Sequence, residues 1–335
     1  MKIFHPGVLL LAAGLPLFAA IDGTVVNRTT GKPQAGVSIT LVKPGQGGMK
    51  TLGTTTSDVA GRFVFQQDQP GGGPQLLQAN YAGINYNKLL TPNIPTSGVE
   101  LDVFETTKSP AVARVAQNMM IMEPSRGDFT VSQTIIVQNE SNTTFHDPQQ
   151  GDFLFYLPPA ANGQVRVNAR GPQGMPLPRP AEKTKENDIF KIDFPIKPGE
   201  TQFEISYVLP AGSPFVFRGR VVNVKGMSAG PLRLVAPSGV ALAGDDIQLV
   251  GTEPKTQATI YTVTARNLFS VNVTGIGSLH PPETAADEAD SPQVTEGKPQ
   301  IYAHLPWLVA LAFGILGTGL LVLFRTSPVG SPYRR

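Results

Sequence analysis

The chain of 335 residues contains no cysteine, an absence that excludes disulfide frameworks, thiolate nucleophiles, cysteine zinc sites and a lipidated cysteine together. Stability must come from ordinary apolar cores. Histidine is nearly as scarce, with only His5, His146, His280 and His304 present. A formal net charge of +2 gives no strong excess of either sign, so nucleic acid is not expected as a partner. Between the two ends no uninterrupted period of 3.6 residues occurs, which argues against helical architecture. Long apolar runs are confined to the termini.

At the start, Lys2 precedes the apolar run Val8 to Phe18, and Ala19 and Ala20 close it. Residues 1–20 read as a secretory signal peptide whose apolar core is too short for a membrane span. At the other end, "LPWLVALAFGILGTGLLVLF", Leu305 to Phe324, carries no charge and covers about 30 Å at about 1.5 Å per residue. One transmembrane helix is expected over residues 304–325. Tyr302 and Trp307 stand where interfacial aromatics belong, and Arg325, Arg334 and Arg335 assign the tail, 326–335, to the cytoplasm. Residues 278–303, rich in proline and acidic side chains, read as an extended stalk. Within the span, Ala310, Gly314 and Thr318 recur at spacing four, a pattern that lets two helices approach closely and makes a homodimer through this helix a candidate.

What lies between is β in pattern. "GVSITLV" sets Val37, Ile39 and Leu41 on one face, and "FTVSQTIIVQ" does the same with Phe129, Val131, Ile135 and Val137. "FLFYL" and "TQFEISYVL" repeat the alternation with Phe153, Phe155 and Leu157, then Phe203, Ile205, Tyr207 and Leu209. Turn signals such as "KPGQGG", "PPAANG", "IKPGE" and "APSGV" separate these runs. The expected fold class is all-β, built of tandem antiparallel β-sandwich domains.

The stretch "TTTSDVAGRFVF", residues 54–65, is read as a hairpin corner. Asp58 can bond its own downstream backbone, Gly61 can take positive φ, and Phe63 and Phe65 begin an inward face. With Gly23-x-Val25 and Gly31-Lys32-Pro33-x-Ala35-Gly36-Val37 upstream, the order resembles the carboxypeptidase regulatory-like family, a small β-sandwich with a transthyretin-like fold. The resemblance covers residues 21–106 and implies an accessory sandwich, because the peptidase chemistry of such proteins belongs to a separate zinc domain with a His-x-x-Glu pair and a further His. Only His280, with Glu283, has that spacing here, and two prolines and the stalk surround it. Residues 107–277 carry the remaining strands, an Ig-like region of one sandwich or two.

Several patterns lead nowhere chemically. "GMSAG", Gly226 to Gly230, fits a nucleophile elbow around Ser228, with Asp245 or Asp246 and His280 following in order, but Pro231 and a strand follow where a helix is required. The glycine runs 45–48 and 71–73 lack the Lys and helix of a phosphate loop. Asn27, Asn139, Asn142 and Asn272 head N-x-[ST] triplets that are common by chance in Thr-rich β proteins.

No catalytic, cofactor-binding or metal-binding constellation is therefore expected. The function class is a non-enzymatic, membrane-anchored protein of a bacterial cell envelope, with its β domains outside the cytoplasm and an envelope protein as partner. A glycan-binding or peptide-binding module is the alternative. It would use Asn80, Tyr81, Asn85, Tyr86 and Asn87, whose mix of amides and aromatics suits such ligands, although the same residues also read as an edge strand with its loop. A hydrolase using Ser228 is a third class. Protease added to intact spheroplasts is expected to remove the mass of the β domains and leave the tail; an ectodomain that stays protected overturns the orientation read from the arginines.

Overall fold

The structure, a computed structural model, describes residues 21–45, 48–66, 73–92, 94–172, 174–210 and 215–279. The expected signal peptide, the stalk beyond Leu279, and the span with Ala310, Gly314 and Thr318 lie outside these residues. Among the described residues no helix is long and apolar enough to cross a membrane. They form strands, joined by turns and two single-turn 3₁₀ helices, Pro110–Val112 and Pro159–Ala161.

Two four-stranded sheets make the N-terminal sandwich. In one, Ile21–Asn27 lies between Arg62–Phe65 and Val99–Val103 and also pairs Lys32–Pro33; in the other the order is Gly48–Thr56, Ser38–Gly45, Gln75–Tyr81, Ile84–Leu90. Val25, Phe63, Phe65, Val99 and Leu101 from the first sheet pack against Ile39, Leu41, Leu77 and Tyr86 from the second. The corner before Phe63 forms as the residues require. Asp58 Oδ1 accepts from the N–H groups of Ala60, at 2.9 Å, and Arg62, at 2.7 Å, while Gly61 takes a φ of +73°. Phe63 then pairs across from Gly23, where a Cβ would overlap both the Val99 carbonyl oxygen and the Phe63 ring. That glycine lets a strand and an aromatic ring approach the same backbone.

Beyond residue 112 one nine-stranded sheet runs continuously. Its order is Leu177–Pro178, Arg166–Arg170, Gly199–Pro210, Asp128–Asn139, Ala113–Pro124, Leu232–Ala236, Thr259–Val263, Ile247–Thr252, with Ser228–Ala229 added beside Ala113–Pro124. Two three-stranded sheets cover the same face of it. Phe153–Tyr156, Ile189–Ile192 and Glu182–Lys183 form one; Phe215–Arg220, Leu268–Gly275 and Val240–Ala243 form the other. Phe129 lies 4.7 Å from Phe215, and Phe203 stacks on Phe153 at 4.8 Å, so both small sheets close on one shared core.

The expectation of purely antiparallel sheets is corrected here. Ile21–Asn27 pairs Val99–Val103 in parallel, and Ala113–Pro124 pairs Leu232–Ala236 in parallel. Period-two alternation is the same in both arrangements, and the segments between these partners are long enough for the crossover that parallel pairing needs. Gly23→Ala is expected to lower the stability of the full chain by about 2–3 kcal/mol in denaturant titration; an unchanged midpoint would show that the two neighbours can part without cost.

Candidate functional site

The five residues expected to bind a ligand lie on one hairpin, Gln75–Tyr81 and Ile84–Leu90, turned by Ala82 at φ +50° and Gly83 at φ +78°. The three asparagines are exposed, while the two tyrosine hydroxyls face other parts of the chain. Asn80 Nδ2 donates to Asn85 Oδ1 across the pair at 2.8 Å, and Asn87 is exposed. The Tyr81 hydroxyl donates to Glu105 Oε1 at 2.6 Å, and that bond pushes the phenol up to about 12. Tyr86 is buried, with its hydroxyl 3.0 Å from the Phe104 carbonyl oxygen and 2.9 Å from Thr144 Oγ1.

These contacts form the junction between the two sandwiches. Asn27, 1% exposed, donates to the same Glu105 oxygen at 2.7 Å and to Gln34 at 3.0 Å. Glu105 N–H donates to Thr29 Oγ1, whose hydroxyl donates to the Asn142 carbonyl, while Thr144 N–H donates to the Glu105 carbonyl at 2.8 Å. Thr106–Thr107 then pairs in parallel with Thr144–Phe145. The interior hydrogen bonding of Asn27 and Asn139, both 1% exposed, makes their triplets parts of the fold.

Lys197 completes the junction from the other side. Its Nζ donates to the Asn85 carbonyl and stands 5.2 Å from the centre of the Tyr86 ring. Burial, reinforced by Arg179, pulls its pKa down to about 8.

A second cluster sits just past the junction. His146 Nδ1 lies 2.9 Å from Asp152 Oδ2, 3.2 Å from Asp152 Oδ1 and 3.7 Å from Asp193 Oδ1. Asp152 is fully buried and also accepts from Asp147 N–H at 2.7 Å; burial pushes its carboxyl up, against the pull of that N–H and the imidazole. Among the described residues this is the one group of three side chains with donor atoms close enough to share a metal ion. A search for His-x-x-Glu pairs passes over it, because one carboxylate follows six residues after His146 and the other comes just past the strand Ile189–Ile192.

Elsewhere, Ser228 is exposed on its two-residue strand and pairs by main chain with Arg114. Asp246 Oδ2 accepts from Ser270 N–H at 3.2 Å, and His280 lies outside the described residues. An open cleft between the small sheets is lined by Asn118, Gln133, Tyr156 and Arg220 among others, and Arg220 is paired with Glu186 at 3.3 Å.

No protein-family model matches the chain, and no curated protein matches it. Among solved structures it is similar to two of mutant forms of an M1 zinc metallopeptidase from Deinococcus radiodurans, one of them bound to a Tyr-Ser-Ala substrate. Identities are 13% and 12%, each with a TM-score of 0.27, covering 48% of this chain and 42% of the other. The chain spans under half the length of those proteins, and an overlap at that TM-score carries no argument about activity.

A lysine with a lowered pKa makes the fold more stable as pH rises from about 8 towards the ordinary 10.5, since the unfolded chain there holds a proton that the folded chain has lost. The stability difference between wild type and Lys197→Met is expected to move in favour of wild type across that window in thermal melts. A difference that stays flat means that Lys197 keeps its ordinary pKa in the fold.

Proposed function

We propose that this protein is a non-enzymatic scaffold of a bacterial cell envelope, exported by its N-terminal signal and held by one C-terminal span. Its outer part combines a carboxypeptidase regulatory-like sandwich, residues 21–106, with an Ig-like region, residues 107–277. The membrane bilayer and one envelope protein are its partners.

One observation carries the scaffold reading: the two outer edges of the nine-stranded sheet differ. At one, Leu177–Pro178 is only two residues long and contains a proline, features that block further strand pairing. At the other, Ile247–Thr252 pairs, among the described residues, only with Thr259–Val263. A bulge between Leu249 and Gly251 twists this strand, and Leu249 and Val250 are 61% and 57% exposed. A longer edge that bears adjacent exposed apolar side chains beside its bulge supports docking of a partner there.

A glycan or peptide reading has less support, since the Tyr81 and Tyr86 hydroxyls are engaged inside the molecule.

A photo-crosslinking residue placed at Val250 in native membranes is expected to give one adduct of defined mass, and the same residue at exposed Val64 on the other sandwich is expected to give none. Leu249→Lys should abolish the adduct without lowering the melting temperature. Equal labelling from both positions, or none from Val250, removes the edge from the interface.

A further inference from the structure

We propose that His146, Asp152 and Asp193 form a binding site for a divalent transition-metal ion of the zinc class. The inference is independent of the scaffold reading and concerns a different part of the molecule.

The ligand atoms are already gathered. His146 Nδ1 and one oxygen of each carboxylate lie within 4.8 Å of one another. Tetrahedral bonds of about 2.0–2.2 Å set neighbouring ligand atoms about 3.3–3.5 Å apart, between the 2.9 Å and 3.7 Å that separate Nδ1 from the two carboxylates. Side-chain shifts of less than about 1 Å therefore suffice to replace the imidazole hydrogen bond with an ion. One imidazole with two carboxylates suits zinc better than calcium or magnesium, which prefer all-oxygen shells. The His146 and Asp193 side chains are 23% and 48% exposed, so an ion has a path in and room for a water as fourth ligand.

Charge supplies a second, separate argument. The Asp152 and Asp193 carboxylates both approach one imidazole nitrogen, at 2.9 Å and 3.7 Å, and an oxygen of each lies within 4.8 Å of the other. Like charges held this close are destabilising, the more so when one of them is buried. Nδ1 stands at hydrogen-bond distance from Asp152 alone; Asp193 at 3.7 Å is too far. Nearby Lys191 is turned away, donating to the Pro148 carbonyl at 2.8 Å and pairing with Glu182 at 3.2 Å. Among the described residues no Lys or Arg pairs with either aspartate. A cation between the carboxylates resolves the opposition.

The surrounding chain holds the ligands in place. His146 N–H donates to the Thr107 carbonyl at 3.0 Å, and Gly151 N–H closes the loop onto the Asp147 carbonyl at 2.7 Å. Gly151 has a φ of +90°, and a Cβ there would collide with Lys191. Because His146 directly follows the strand that pairs with Thr106–Thr107, a bound ion braces the linker between the two sandwiches.

The test uses the full chain, purified without a polyhistidine tag, stripped with EDTA and titrated with Zn²⁺ by calorimetry and thermal melting. The expected result is one saturable site and a melting temperature that rises with Zn²⁺. Asp193→Asn should weaken binding by more than about tenfold and, having removed an opposed charge, melt no lower than the metal-free wild type. His146→Gln should lose the Zn²⁺ response as well. Should that variant fail to fold, Asp193→Asn decides alone, since its side chain is half exposed. Absence of saturable binding by the wild type, or Asp193→Asn binding Zn²⁺ as tightly as the wild type does, overturns the proposal and leaves the cluster as a hydrogen-bonded clamp.

Discussion

The larger sheet depends on one constraint, the register between Asp128–Asn139 and Gly199–Pro210. Twelve residues of each strand pair without a break, setting Phe129 beside Leu209, Val131 beside Tyr207 and Ile135 beside Phe203. All six side chains are buried. A slip of one residue would turn one strand's side chains to water, and at roughly 1.5–3 kcal/mol for each large apolar side chain the penalty is comparable with the whole stability of an ordinary domain. The register therefore fixes which face the two small sheets can cover, and Phe129 and Phe203 present that face to Phe215 and Phe153.

The junction follows a different logic. Each sandwich has its own apolar core, but Asn27, Tyr81, Glu105 and Thr144 meet through directional hydrogen bonds. Hydrogen bonds in a partly buried site have narrow geometric tolerance, so they specify how the two layers meet more than they add to net stability. Lys197 belongs to the same design: a cation over the Tyr86 ring and a donor to the Asn85 carbonyl, whose desolvation lowers its pKa. The His146 cluster begins where this linkage ends, so chemistry at those carboxylates acts on the mechanical connection between the layers.

The alternating side chains were legible because period two requires no knowledge of the partner strand: Val37, Ile39 and Leu41 are buried wherever their strand pairs. The corner at Asp58 was legible for a similar reason, since its hydrogen bonds close within four residues. Pairing was not. Asp128–Asn139 and Phe153–Tyr156 follow one another through a polar loop, yet they lie in different sheets, as do Ile189–Ile192 and Gly199–Pro210 on either side of the Pro-Gly turn. A turn reverses the chain without stating whether the next strand pairs beside the last or crosses to the facing layer.

Strand existence, inward faces and tight turns were thus determined by the sequence alone, through local sterics and hydrophobic alternation that act within a few residues. The tertiary structure decided sheet membership, the parallel pairings and the meeting of Tyr86 with Thr144 and of His146 with Asp193. Those depend on contacts between residues far apart in the chain, where many pairings satisfy the same local pattern and only the packing of the whole core selects one.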